Sequence, residues 1–171
     1  MLIILAGLPG VGKTTIARDA ARRLAAVHVR IDSIEHALRQ SSGCSQRPLD
    51  DAGYLAGYAV AEDNLALGRI VIADSVNPWP VTRDAWRAVA WRVGQAAIEI
   101  EILCSDRREH QRRIESRTPD IPGFVLPTWQ DVVERDYRPW TRERTVIDTA
   151  ATSVTQAVDI VTALARTASR A

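Results

Sequence analysis

Residues 7–15 read GLPGVGKTT, and Lys13 within them is the only lysine among the chain's 22 lysines and arginines. A chain that writes arginine at every other basic position keeps an ammonium here. A compact, rotatable point charge fits among phosphate oxygens where a planar guanidinium fork does not. The spacing around it, Gly7-Leu8-Pro9-Gly10-Val11-Gly12-Lys13-Thr14, is G-x-x-x-x-G-K-[ST]. In that pattern backbone N–H groups curl around phosphates, the lysine reaches the β- and γ-phosphates, and the threonine hydroxyl holds Mg²⁺. A chance match in a chain of this length is roughly a one-percent event at ordinary glycine usage. Gly7 to Thr15 are therefore expected to bind ATP with Mg²⁺, Thr15 continuing the loop beyond the motif.

Two acids and a run of arginines complete the chemical inventory. Asp32, in VRIDSIEHAL, has two readings. Asp32-Ser33-Ile34-Glu35 has the spacing of a helix capping box. A carboxylate beside a phosphate loop also accepts the proton of a hydroxyl attacking the γ-phosphate. The two roles are compatible. Asp74 closes the apolar run of RIVIADSVNP, the pattern of an acid that reaches Mg²⁺ directly or through water. Arg83 follows nearby and reads as a solvated helix residue. Arg107, Arg108, Arg112, Arg113 and Arg117 crowd one segment. Glu109 and Arg113 stand four apart and suit a local ion pair. Arg113 and Arg117, also four apart, precede a proline-bearing loop, the arrangement of a lid that folds guanidinium groups over phosphates. Most of the five tryptophans, Trp79, Trp86, Trp91, Trp129 and Trp140, are expected in core or lid packing. His28, His36 and His110 show no partner pattern.

These residues need strand ends to stand on. The apolar run 2–5 before the glycine loop reads as a buried parallel strand, and the three- and four-residue spacing of Ile16, Ala17, Ala20, Ala21 and Leu24 as a helix. Further strands are expected at 27–31, 70–73, 98–104 and 145–148. Helices are expected at 33–40, 50–67, 81–93, 106–117, 128–135 and 153–168. Gly68 and Gly94 act as stops, and Thr128 as a cap. Residues 41–48 and 118–127 read as loops. Five strands alternating with helices make a doubly wound α/β domain with a parallel sheet, whose ligands gather beyond the strands' carboxyl ends.

The 171 residues suit a single domain over 1–171, with a lid at about 106–135. A net charge of +1 gives no basic track for nucleic acid and no pull toward an anionic membrane. Cys44 and Cys104 have no metal-ligand spacing, and the apolar start is too short to span a bilayer. The expected compartment is cytoplasmic.

With these residues together, the chain resembles P-loop kinases of the adenylate-kinase-like group, and most of all the chloramphenicol phosphotransferase-like proteins. The resemblance is carried by GLPGVGKTT, RIDSIEHAL, GRIVIADSV, CSDRREHQRRIESR and VIDTAATSV. It implies that Asp32 is the base for the acceptor hydroxyl. It implies lid arginines at Arg113 and Arg117, with Arg112 as the alternative, and places Thr149, Ala150 and Ala151 beside adenine. Residues 40–60 match no acceptor pocket. The expected activity is transfer of the γ-phosphoryl of ATP to a hydroxyl of a small molecule. A polynucleotide 5′-hydroxyl kinase is the close variant, disfavoured by the missing basic track. A nucleotide-dependent ATPase switch is the alternative from another class. It normally needs an arginine finger from a partner, whereas this chain carries its own arginine helix.

Overall fold

The computed structural model describes residues 1–41 and 51–168. The expected loop at 41–48 and Cys44 lie almost wholly outside the described residues. Five strands, β1 (Leu2–Ala6), β2 (Val27–Arg30), β3 (Val71–Asp74), β4 (Ala97–Leu103) and β5 (Thr145–Asp148), form one sheet in the order β2-β3-β1-β4-β5. Every pairing is parallel. The helices are α1 (Lys13–Leu24), α2 (Ile31–Gln40), α3 (Ala52–Ala66), α4 (Pro80–Arg92), α5 (Arg107–Ser116), α6 (Trp129–Val133) and α7 (Val154–Ala168). This is the doubly wound α/β fold expected of the sequence.

β1 is apolar at every position because both its faces are covered. Ile3 and Leu5 join Ile16, Ala17 and Ala20 of α1 and Ala157 and Val161 of α7 in one core. Leu2 and Ile4 join Ala61 and Leu65 of α3 and Trp86 and Val89 of α4 in the other. Side chains alternate across a strand, so one apolar run feeds both layers. β1 lies between β3 and β4, and this central place sets the phosphate loop at the middle of the sheet's carboxyl edge.

The structure corrects several expectations. α2 begins at Ile31 rather than two residues later, with Arg30 as its N-cap and no side-chain cap bond. Ile31 is buried and its Cδ1 fills the space where a Cβ on Gly57 of α3 would sit, at 2.4 Å. That contact winds Ile31 into the helix and leaves Asp32 inside the first turn. The capping-box reading of Asp32 therefore fails. α6 stops at Val133, short of the expected 135. The following chain docks back on the loop before α4, where Arg138 N donates to Pro78 O at 2.8 Å.

Arg83 is only 1% exposed, not solvated. Its guanidinium donates to the carbonyls of Asn77, Pro78, Arg138 and Pro139 and stacks on Trp140, 4.2 Å from the ring centroid. A buried charge is tolerable only with such partners. Trp86 is fully buried and Trp129 packs against His110, but Trp91 is 82% exposed and packs in neither core nor lid. No helix among the described residues is long and apolar enough to cross a membrane.

Candidate active site

The carboxyl ends of the strands open into a cleft of about 1590 Å³, lined by the glycine loop, α2, the loop after β3, the segment after α5, and the loop after β5. From the glycine loop, Pro9, Gly10, Gly12, Lys13 and Thr14 line it. Gly10, at φ +82°, allows a close approach: a Cβ there would lie 2.4 Å from Ile114 Cδ1 on α5. The loop and the arginine-bearing helix thus pack without a side chain between them. His110 Nε2, 2.7 Å from Pro9 O, donates across the same contact.

Lys13 is 8% exposed and its Nζ donates to Leu8 O at 2.9 Å. Burial pushes its pKa down, against the pull of the Asp74 and Asp32 charges. Asp74 is almost fully buried at the end of β3. Burial alone would raise its pKa. The hydrogen bond from His28 Nε2 at 3.0 Å, the Lys13 charge and the Thr14 hydroxyl reverse this and hold it below the ordinary carboxylate value. His28 comes from β2, in register beside Ile72 of β3.

Mg²⁺ prefers hard oxygen donors and takes one or two protein ligands plus phosphate oxygens. Thr14 and Asp74 fit that role. The first is a hydroxyl at the loop's end, and the second is a carboxylate kept ionised beside it. No cluster of three or more His, Cys, Asp or Glu suited to a metal exists among the described residues.

Asp32 stands across the cleft, its side chain 44% exposed and its Oδ2 3.6 Å from Arg30 Nη2. Arg117 follows α5 and faces the same space. Its Nε and Nη2 are buried and find no hydrogen-bond partner among the described residues. Burial lowers its pKa, while the Asp32 charge opposes the shift.

Arg113 is engaged differently. Its Nε donates to Glu109 at 2.8 Å, and Nη1 and Nη2 to Thr149 Oγ1 and O at 2.8 and 3.0 Å. Thr149 Oγ1 also lies 3.0 Å from the Val11 and Leu103 carbonyls, so Arg113 braces α5 against the glycine loop and the end of β4. Arg112 is exposed and paired to Glu109 at 2.7 Å. Ala150 N donates to Asp148 Oδ1 at 3.0 Å and Ala151 N to Asp148 O at 3.2 Å, which turns the chain at the edge of the cleft.

Sequence reasoning passed over His28, His110 and the pairing of Asp120 with Arg30. No short-range spacing marks them. Their partners lie 46, 101 and 90 residues away.

Residues 2–136 match the AAA domain family. The chain belongs to that family. Among curated proteins none matches it. Among solved structures it is similar to a gluconokinase from Sinorhizobium meliloti 1021, at 23% identity and TM-score 0.63, over 98% of this chain and 93% of that one. It is similar to Chaetomium thermophilum Kti12 in complex with ADP-AlF3, at 19% and 0.70, over 98% of each. It is also similar to the Mycobacterium tuberculosis APS kinase CysC in complex with AMPPNP and APS, at 18% and 0.69, over 96% of each. At these identities the likeness establishes the fold alone, the five-stranded parallel α/β architecture described above.

Proposed function

We propose that the chain is an ATP-dependent kinase that moves the γ-phosphoryl group to a hydroxyl of a small molecule. The supporting observation is that one cleft is lined both by the phosphate-loop residues and by a separate carboxylate and arginine. Lys13, Thr14, Asp74, Asp32 and Arg117 all line it, and Arg117 Nε and Nη2 have no hydrogen-bond partner among the described residues. The triphosphate lies along the glycine-loop amides with Lys13 at its β- and γ-oxygens. Thr14 and Asp74 would hold Mg²⁺, which would supply charge neutralisation to the phosphates. Asp32 holds the acceptor hydroxyl and takes its proton. The acceptor oxygen bonds to the γ-phosphorus as the bond to the β-phosphate bridging oxygen breaks, releasing ADP. Arg117 satisfies its buried nitrogens on the equatorial oxygens, where charge is greatest. The Arg113–Thr149 brace borders the adenine, and residues 106–135 act as the lid. The solvent-exposed Arg112 serves α5 rather than phosphate.

Screening hydroxylated metabolites and antibiotics for acceptor-dependent ADP release tests the proposal. The kinase reading expects release that rises with one acceptor class. Release indifferent to every acceptor would favour the ATPase switch. The cleft also carries carboxylates interspersed with its arginines, which suits a small acceptor better than a polyanionic strand.

A further inference from the structure

The segment after α5 lays its own carboxylate on the cleft. Arg30 Nη1 donates to Asp120 Oδ2 at 2.8 Å and Nη2 to Oδ1 at 3.1 Å, two parallel bonds in a fork-to-carboxylate geometry. Arg18 Nη2 of α1 reaches the same Oδ2. The host and the guest are built differently. Arg30 ends a sheet strand and its side chain is only 11% exposed, whereas Asp120 sits on a loop with 39% of its side chain exposed. Arg30 is the enclosed partner, whereas Asp120 and Arg18 are both partly exposed.

The positive side is also under-filled. Arg30 Nε is buried without a partner among the described residues, as are Arg117 Nε and Nη2. Asp32 Oδ2 is 3.6 Å from Arg30 Nη2, so this arginine group borders the carboxylate that receives the hydroxyl.

We propose that Arg30 and Arg18 form an anion seat that Asp120 fills from within. The acceptor carries a carboxylate, phosphate or sulfate that replaces Asp120 there while its hydroxyl lies at Asp32. The proposal rests on the kinase reading for the word acceptor, but the seat itself does not. Its closeness to Asp32 implies a compact acceptor, with the anionic group a few bonds from the reacting hydroxyl. A surface ion pair that merely pins a loop would show the same contacts and contribute little. What separates the two is competition. A tethered carboxylate acts at a high effective concentration, so free anions bind the wild type weakly, and removing the tethered group unmasks the seat.

The test is thermal melting with the glycine loop saturated by Mg²⁺ and AMPPNP, titrated with sulfate, phosphate or malonate against chloride at equal ionic strength. Asp120→Ala, at an exposed position, is expected to gain an anion-dependent rise in Tm with an apparent affinity at least about tenfold tighter than wild type. Adding Arg30→Gln, or Arg18→Gln should the first double variant not fold, removes the gain. The ranking of malonate against sulfate and phosphate tells a carboxylate from a tetrahedral anion. An equal anion response in Asp120→Ala and wild type overturns the seat, as does a gain that survives loss of the arginines. Matched acceptors carry the second arm: a hydroxy acid is expected to outpace the corresponding neutral alcohol. A neutral compound preferred over its anionic counterpart overturns the seat and leaves the kinase intact. ADP release with no acceptor dependence overturns the kinase while the melting result stands.

Discussion

Asp74 and Asp32 stand at the ends of neighbouring strands and face one cleft, yet their surroundings are opposite. Asp74 is 3% exposed, fixed by His28 and charged beside Lys13. Asp32 is half-exposed in the first turn of a helix, with one arginine at 3.6 Å. The first environment suits a carboxylate that never changes state and faces a cation. The second suits a carboxylate that must meet a substrate and exchange a proton. The donor half is finished by the chain's own contacts. The acceptor half keeps unpartnered nitrogens on Arg30 and Arg117.

Variants that break the donor half should cost most. Lys13→Arg keeps the charge but brings a fork where a point charge is needed. It is expected to abolish transfer with an unchanged Tm, and a near wild-type rate would refute the geometric argument. Asp32→Asn should lower acceptor-dependent turnover by about 10²–10⁴-fold, toward the lower end if the loose transition state asks mainly for positioning. Because Asp32 caps nothing, its Tm and AMPPNP affinity should not move. Loss of AMPPNP affinity would mean that the two carboxylates are not divided as described.

Effects on stability are smaller and fall outside the pair. Arg83→Ala should destabilise by about 2–4 kcal/mol, since four carbonyls lose a charged donor, read as a lower denaturation midpoint at unchanged slope. A shift under about 0.5 kcal/mol would show that water replaces the guanidinium. The smallest effect is acid-dependent. The hydrogen bonds from Arg30 most of all, and from Arg18, hold the Asp120 pKa at about 2, against the upward push of burial and below the ordinary value of 3.8. A carboxylate with a depressed folded pKa stabilises above its unfolded pKa, and that contribution is lost as pH falls toward the folded value. The Tm difference between wild type and Asp120→Ala should therefore be constant above about pH 5 and shrink between about pH 4 and pH 2. A difference that grows on acidification would reverse the assignment.

What the sequence made legible was local or periodic. The glycine loop, its lysine and its threonine are eight consecutive residues, and the five strands are short runs in which apolar residues continue or alternate. Asp74 was legible because it terminates a strand, and Asp32 because it closely follows one. Asp32 shows the limit: its capping-box spacing is sound, but Ile31 packs beneath Gly57 and starts the helix earlier. Arg83 looked solvated because its stacking partners, Tyr137 and Trp140, lie more than fifty residues on. The His28–Asp74 bond depends on strand register, and the Asp120–Arg30 fork on how the chain after α5 returns over β2. No spacing rule within a helix or strand encodes either.

The central claim is that the γ-phosphoryl group leaves ATP for a hydroxyl in the Asp32 half of the cleft. Following it directly, with γ-labelled ATP, Mg²⁺ and the acceptor class found by screening, decides this. The account predicts that the label appears in a C–O–P linkage on the acceptor, one per ADP formed, and that Asp32→Asn suppresses this product while still binding AMPPNP. Label recovered only as inorganic phosphate, at a rate unaffected by any acceptor, would contradict it.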